Sequence, residues 1–324
     1  MNFFASKLDS HDLMHCRHHL GCSTLWSYLS RSEGVRTEFM NEIQSRILSI
    51  YKNVAKVCDK NGLRYFAING TCLGAVRHGG FIPWDDDMDL AMPIEDLMVF
   101  LEIAPSSLPD NLELHYFGTV PSYAHIFIKV IDATTTFIEP TEISYPQRYK
   151  GVWLDITPLS SYPDSHHQQL VFSRNNKLYS RHTAASKFSI TEMTTLKSKI
   201  MWILQQPKVA TLRTDPLESW FYFLMGFPVK EPFSHAALWS PENPSRMIIP
   251  AKCFAKCIEM PFEDVMMHVP VGYDEYLSLQ YRDYMKLPPL DKRQTHSKKG
   301  FVDLQHSYKL YQTGELSLPV EIFC

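Results

Sequence analysis

No stretch of this chain approaches the roughly 20 consecutive apolar residues that a membrane-crossing helix needs. The first residues carry no apolar core of the kind that marks a secretory signal. A basic excess is also missing. Lys and Arg total 32 against 35 Asp and Glu, a formal net charge of −3. That leaves no electrostatic footprint for nucleic acid. Cysteine is sparse and scattered: Cys16, Cys22, Cys58, Cys72, Cys253, Cys257 and Cys324 suggest no disulfide framework in 324 residues. A reducing compartment is the simpler reading, so the expected setting is cytoplasmic, with any membrane contact peripheral and at the inner face. No internal repeat or low-complexity tract appears. A hydrophobic content of 45% is ordinary for a globular protein, and the length allows one large or two smaller domains.

What is present is concentrated between Phe66 and Met92. An apolar strand runs into Gly70-Thr71, a loop with Gly and Arg follows, and then come four carboxylates in five residues: Asp85, Asp86, Asp87 and Asp89. In Asp87-Met88-Asp89-Leu90, strand alternation sends both carboxylates to one face and both apolar side chains to the other. Adjacent carboxylates repel unless a cation sits between them, and Mg²⁺ or Mn²⁺ shared with substrate phosphates meets that need. A solvated acidic turn is the bland alternative, but Phe81-Ile82-Pro83-Trp84 and Leu90-Ala91-Met92 flank the acids with apolar residues. A calcium loop is another alternative. It fails at its sixth position, Leu90 instead of Gly, and at its twelfth, Asp96 instead of Glu. The layout is that of a metal-dependent nucleotidyltransferase site.

The periodicity predicts an amphipathic helix over residues 36–60, with Phe39, Ile43, Ile47, Ile50, Val54 and Val57 inward and Asn61-Gly62 as its stop. A strand is expected at 63–68, then the Gly70-Thr71 turn, whose N–H groups and those through Gly74 can face phosphate. A strand at 87–91, a helix opened by Pro93 and running through Ala104, and strands at 111–117, 124–131 and 151–156 follow. The order implies an α/β (α+β) fold, a mixed sheet flanked by helices, with a further, mostly helical C-terminal part. The expected division is an N-terminal extension at 1–34, a catalytic core at 35–160 and a C-terminal region at 161–324.

Asp155 lies in an otherwise apolar strand, so it either completes a metal site, accepts a proton, or is a salt-bridged structural acid. Arg77 and His78 lie between turn and acids and are candidates for phosphate, with pairing to an Asp as the alternative for Arg77. Lys129 is a further candidate. The basic run Lys286, Lys292, Arg293, His296, Lys298 and Lys299 reads as a solvated tail or a cover for the donor. Cys16, His19 and Cys22 lack a second ligand pair and read as surface residues, not zinc ligands. Helical patterns recur near 168–180, 193–205 and 214–225. The aromatic run from Trp220 to Val229 reads as core, with an interfacial patch as the alternative. Trp84, Trp153, Tyr145 and Tyr149 are available to cage a cationic head group. Asn69-Gly70-Thr71 is a formal glycosylation sequon, but a glycan there would block the turn.

The segment closely resembles the LicD/fukutin family, whose hallmark is similar to Gly70, Thr71, Leu73, Gly74, Ala75, Arg77, His78, Gly80 to Trp84, Asp85, Asp86, Asp87 and Asp89. Gly151 to Leu159 resembles that family's third-carboxylate strand, and Tyr281 to Pro289 its C-terminal signature. Asn69 and Arg282 stand where family members often carry Gly. The resemblance implies a nucleotidyltransferase-like fold and a transferase. Its donor would be CDP-choline or a CDP-polyol, its acceptor a glycan or glycolipid, and CMP would be released. It also implies Asp87, Asp89 and Asp155 as the metal and catalytic set, with Gly70, Thr71, Gly74, Arg77, His78 and Lys129 about the phosphates.

Overall fold

The computed structural model describes residues 40–120, 123, 125, 127–140, 142–187, 196, 200, 216–229, 234–238, 248–293, 295 and 300–319. The extension at 1–34, the helical pattern at 193–205 apart from residues 196 and 200, and His296, Lys298 and Lys299 lie outside the described residues.

Helix α1 spans Glu42–Asn61. Its apolar residues recur every three or four positions, so Ile47, Ile50, Val54 and Val57 fall on one buried face. It starts at a capping box. Asn41 Oδ1 accepts from the Gln44 N–H at 2.8 Å, and Gln44 Oε1 accepts from the Asn41 N–H at 3.0 Å. It stops at Gly62, whose φ of 64° suits a residue without Cβ.

Strand β1 (Phe66–Ala67) pairs antiparallel with β2 (Asp89–Pro93), and helix α2 (Asn69–Arg77) lies between them in the chain. Pro93 caps α3 (Ile94–Ser107). β3 (Leu112–His115), β4 (Ile128–Asp132), β5 (Thr136–Ile138) and the long β6 (Trp153–Tyr162) follow. The strand expected at 124–131 is displaced along the chain, to 128–132. The main sheet runs β1-β2-β6-β4-β3. β6 is buried from Trp153 to Ser160, its polar Asp155, Thr157 and Ser160 included. It lies parallel to β2 and antiparallel to β4.

The sheet continues past residue 160. β7 (His235–Leu238) pairs with β6, and β8 (Ile248–Pro250) pairs with β7. α4 (His166–Lys187) and α5 (Pro216–Met225) intervene. Trp220 stacks on Phe223 with ring centroids 5.2 Å apart, and Trp220, Phe221 and Leu224 are buried, so this aromatic run is core. The C-terminal part is less helical than its sequence suggests. It holds the hairpin β9 (Cys257–Phe262) and β10 (Val265–Pro270), helix α6 (Tyr273–Tyr281), strand β11 (Phe301–Asp303) paired with β5, and helix α7 (Tyr308–Thr313). Cys253 is buried and Cys257 starts β9; both are free thiols. Among the described residues no helix is long and apolar enough to cross a membrane.

Gln44 ties α1 to the acidic loop, because its Nε2 also donates to the carbonyl of Asp85 at 2.8 Å. Replacing Gln44 by Ala removes a cap partner and strands that carbonyl. The expected loss is about 1–3 kcal/mol of stability, read as a shift in denaturant midpoint without change of slope.

Candidate active site

The chain leaves β1 through Asn69, whose φ of 48° is left-handed, and enters α2 at once. Asn69 is held at both ends. Its N–H donates to the Tyr276 hydroxyl at 3.0 Å, and that hydroxyl donates to Asn69 Oδ1 at 3.1 Å. Its Nδ2 donates to Asp89 Oδ2 at 3.2 Å. Thr71 Oγ1 accepts from the Asp89 backbone N–H at 2.8 Å. The first turn of α2 therefore grips the first residue of β2 by side chain and backbone. Gly70 faces Asp85, and a Cβ there would come within 2.3 Å of Asp85 Oδ2. Only glycine lets that carboxylate sit against the turn.

Met88 and Leu90 are fully buried, while Asp87 and Asp89 line a cavity of about 440 Å³. Asp85, Asn69, Gly70, Trp84, Tyr281 and Tyr284 line it too, together with the cations Arg77 and Lys286. Asp86 is buried.

Behind this cavity a charged row crosses the sheet. In the parallel pairing of β2 with β6, Asp89 stands opposite Asp155. In the antiparallel pairing of β6 with β4, Asp155 stands opposite Lys129. Lys129 Nζ donates to both Asp155 oxygens, at 2.9 and 3.1 Å, and Trp153 Nε1 donates to Oδ2 at 3.1 Å. The ammonium also lies 4.3 Å from the Trp153 ring and 4.8 Å from that of Phe127. Burial raises the Asp155 carboxyl above its ordinary range even against the pull of Lys129. Burial pushes Asp89 well up, with repulsion from Asp87 and Asp155 adding to it. Asp85 is pushed to about 9, by burial first and then by Asp87.

Several residues of the expected phosphate set have other work. Gly74 is a packing glycine: a Cβ there would meet the Gly80 carbonyl at 2.5 Å. His78 sits edge-on to Trp84 with centroids 6.2 Å apart, and burial beside Arg77 lowers it to about 4, so it is neutral at physiological pH. Lys129 is committed to Asp155. Thr71 serves Asp89. Arg77 faces the cavity and braces its rim, with Nη1 donating to the Tyr284 carbonyl at 2.7 Å. Gln44 and Tyr276 went unnoticed in the sequence. The capping pattern Asn41-x-x-Gln44 marks the first, whereas nothing local marks Tyr276.

Among the described residues no group of three or more His, Cys, Asp or Glu side chains is gathered into a metal cluster. The donor chemistry nevertheless suits a hard divalent cation. Asp87 and Asp89 offer carboxylate oxygens in a shared cavity, and Mg²⁺ needs only one or two carboxylates when phosphates supply the rest. Asp155 fits less well, since both its oxygens are already bonded.

The raised carboxyls give a signed pH dependence. Asp85 holds its proton to about pH 9 when folded, against about pH 4 when unfolded. Across that window the unfolded chain binds fewer protons, so stability falls as pH rises. In the presence of a chelator, melting temperature is expected to drop from mildly acidic to alkaline pH, as stability falls by up to about 1.4 kcal/mol per pH unit for each such group. Asp85→Asn should flatten that slope, measured by thermal melts across the pH range.

Known proteins resemble this chain over the same region. A family model described as LicD/FKTN/FKRP, nucleotidyltransferase domain, matches residues 62–196. The lipopolysaccharide cholinephosphotransferase LicD of Haemophilus influenzae is 24% identical over 263 residues, 79% of this chain and 95% of that protein. An uncharacterized protein of Rickettsia typhi is 36% identical over 83 residues, 25% of this chain and 26% of that protein. Human ribitol 5-phosphate transferase FKRP is 48% identical over 44 residues, 14% of this chain and 9% of that protein. The matched stretch includes the strand–helix turn, all four clustered acids and the Asp155 strand, so residues 62–196 carry a nucleotidyltransferase domain of the LicD/fukutin type.

Proposed function

We propose that this protein is a metal-dependent transferase that moves a substituted phosphoryl group from a CDP-linked donor to a glycan hydroxyl. The observation that carries the reading is the cavity in which Asp87 and Asp89 face Arg77 and Lys286. The family relationship supports the reaction class, since the named relatives transfer phosphocholine and ribitol phosphate.

Asp87 and Asp89 would hold Mg²⁺ or Mn²⁺, and a bound ion supplies charge neutralisation for the transferring phosphorus and the departing CMP. The chain's own groups do the rest. Arg77 and Lys286 attract the diphosphate oxygens. Asn69 and Thr71 hold Asp89 in place. The Lys129–Asp155 pair stands behind Asp89 as a fixed charge and orients it. The acceptor oxygen attacks the phosphorus that bears the head group, its bond to the CMP oxygen breaks, and CMP leaves. Asp85, the remaining cavity acid of the cluster, would take the hydroxyl proton once a bound cation has displaced its own.

We read the head group as an uncharged polyol: of the four rings the sequence offers as a cage only Trp84 lines the cavity, and the other aromatic rings there, Tyr281 and Tyr284, can stack on a polyol. A quaternary ammonium needs open aromatic faces. The Arg293 guanidinium lies 4.8 Å from the centre of the Trp84 ring, over the aromatic face beside the acids. Trp153 carries Lys129 and Lys150, the latter at 4.5 Å, and Tyr145 carries Arg148 at 4.5 Å. Tyr149 is buried, its hydroxyl bonded to the Ile143 carbonyl at 2.6 Å.

Two outcomes are expected. Asp87→Asn should lower CMP release about a hundredfold or more while thermal stability holds; near-normal turnover in the folded variant rejects the assignment. In a panel of CDP-ribitol, CDP-glycerol, CDP-choline and CDP-ethanolamine, assayed with Mg²⁺ and with EDTA, the polyol donors should release CMP only with metal. Arg293→Ala should raise use of CDP-choline about tenfold by freeing Trp84. Release of pyrophosphate from a nucleotide substrate would instead mark a nucleotidylyltransferase.

A further inference from the structure

Of the fifteen large apolar side chains left exposed among the described residues, five fall within residues 279–290. They are Leu279, Tyr281, Met285, Leu287 and Leu290, and Leu290 is 78% exposed. Such crowding on one short segment is unlike the single scattered residues of an ordinary surface. The same stretch interleaves cations. Arg282, Lys286, Lys292 and Arg293 stand against Asp283 and Asp291, a local positive excess in a chain of net charge −3. Asp283 and Lys286 both line the cavity, which leaves Arg282, Lys292 and Arg293 against Asp291 on the rest of the segment.

Apolar side chains set among Lys and Arg fit the boundary between lipid headgroups and acyl chains, where the first insert and the second meet anionic lipid. A second copy of the chain fits less well, because two such patches face to face would bring like charges together. The aromatic run near Trp220 is a weaker rival: Trp220, Phe221 and Leu224 are buried, and of that helix's described apolar side chains only Tyr222 and Met225 stay exposed, with no cation beside them in sequence. We infer that residues 279–293 form a docking surface for an anionic membrane.

The position of this surface has a consequence for access. Tyr281, Tyr284, Lys286 and Pro288 line the acidic cavity. Docking therefore sets the mouth of the cavity at the lipid surface, where a lipid-linked acceptor presents its hydroxyls. That consequence rests on the transfer reaction proposed above; the docking itself does not, and the test separates the two.

The test is flotation of the full-length chain with phosphatidylcholine vesicles, with and without phosphatidylglycerol. The wild-type chain is expected to float with the anionic vesicles only, and less so at high salt. The variant carrying Leu287→Glu and Leu290→Glu, both exposed and outside the cavity, should partition about tenfold less or weaker still. Its melting temperature and its CMP release from soluble donor should match wild type. Failure of the wild-type chain to bind anionic vesicles, or equal binding by the variant, overturns the inference. Concentration-dependent dimerisation that the variant abolishes, without vesicle binding, overturns it in favour of a second copy. Vesicle binding without CMP release from any donor keeps the docking surface and sinks the transfer reaction.

Discussion

Repulsion between desolvated carboxylates is the constraint around which this structure is arranged. The parallel pairing of β2 with β6 sets Asp89 opposite Asp155, on neighbouring strands about 4.8 Å apart. Asp85 and Asp87 add charge from the loop just before β2. Water relieves this only in part, because Asp85, Asp87 and Asp89 are half-buried and the apolar Met88 and Leu90 between and beside them are buried. The fold answers with specific partners instead. Lys129 takes both oxygens of Asp155, and the Asn69 amide donates to Asp89. The compensation is incomplete, so Asp89 and Asp85 retain raised proton affinity. The divalent cation proposed above would complete it.

That unfinished balance explains features that look unrelated. Gly70 is glycine because the Asp85 carboxylate occupies the space of its side chain. Thr71 and Gln44 spend their side chains on backbone groups of Asp89 and Asp85. They act on the positions of the acids, not their charge. The buried Lys129–Asp155 pair is weak evidence for stability by itself. Its value lies in orientation, since Trp153 and Phe127 confine the ammonium and so confine the carboxylate opposite Asp89.

Backbone strain is concentrated at the same cavity. Asn69 at φ 48° and Arg282 at φ 61° are two of the three described non-glycine residues with positive φ, and both stand where the family resemblance expects Gly. Asn tolerates the left-handed region better than most residues, and here its side chain reaches Asp89 and Tyr276. Arg282, with ψ −113°, has no such excuse in its contacts. Strain of this kind persists where the surroundings over-determine it, which is common at functional sites. Arg282 sits between Tyr281 and Tyr284, both on the cavity wall.

Local pattern by itself determined much of this protein. The 3.6-residue apolar repeat located α1, Pro93 marked the start of α3, and alternation in Asp87-Met88-Asp89-Leu90 separated the buried pair from the cavity pair. The density of Gly, Arg and Asp between Gly70 and Asp89 marked the candidate site, because few other purposes tolerate four acids among apolar residues. Tertiary structure decided what each residue there does. Lys129 lies 26 positions from Asp155 and Tyr276 lies 207 from Asn69; strand register and the return of α6 bring them together, and no window of sequence contains either. The strands β7 and β8 escaped notice because they are short and gain their burial only by pairing beyond β6. Pattern reports which face of an element is apolar, which is a local property. Whether a carboxylate meets a lysine, an amide or a cavity depends on which distant strand lies beside it, and only the folded sheet sets that.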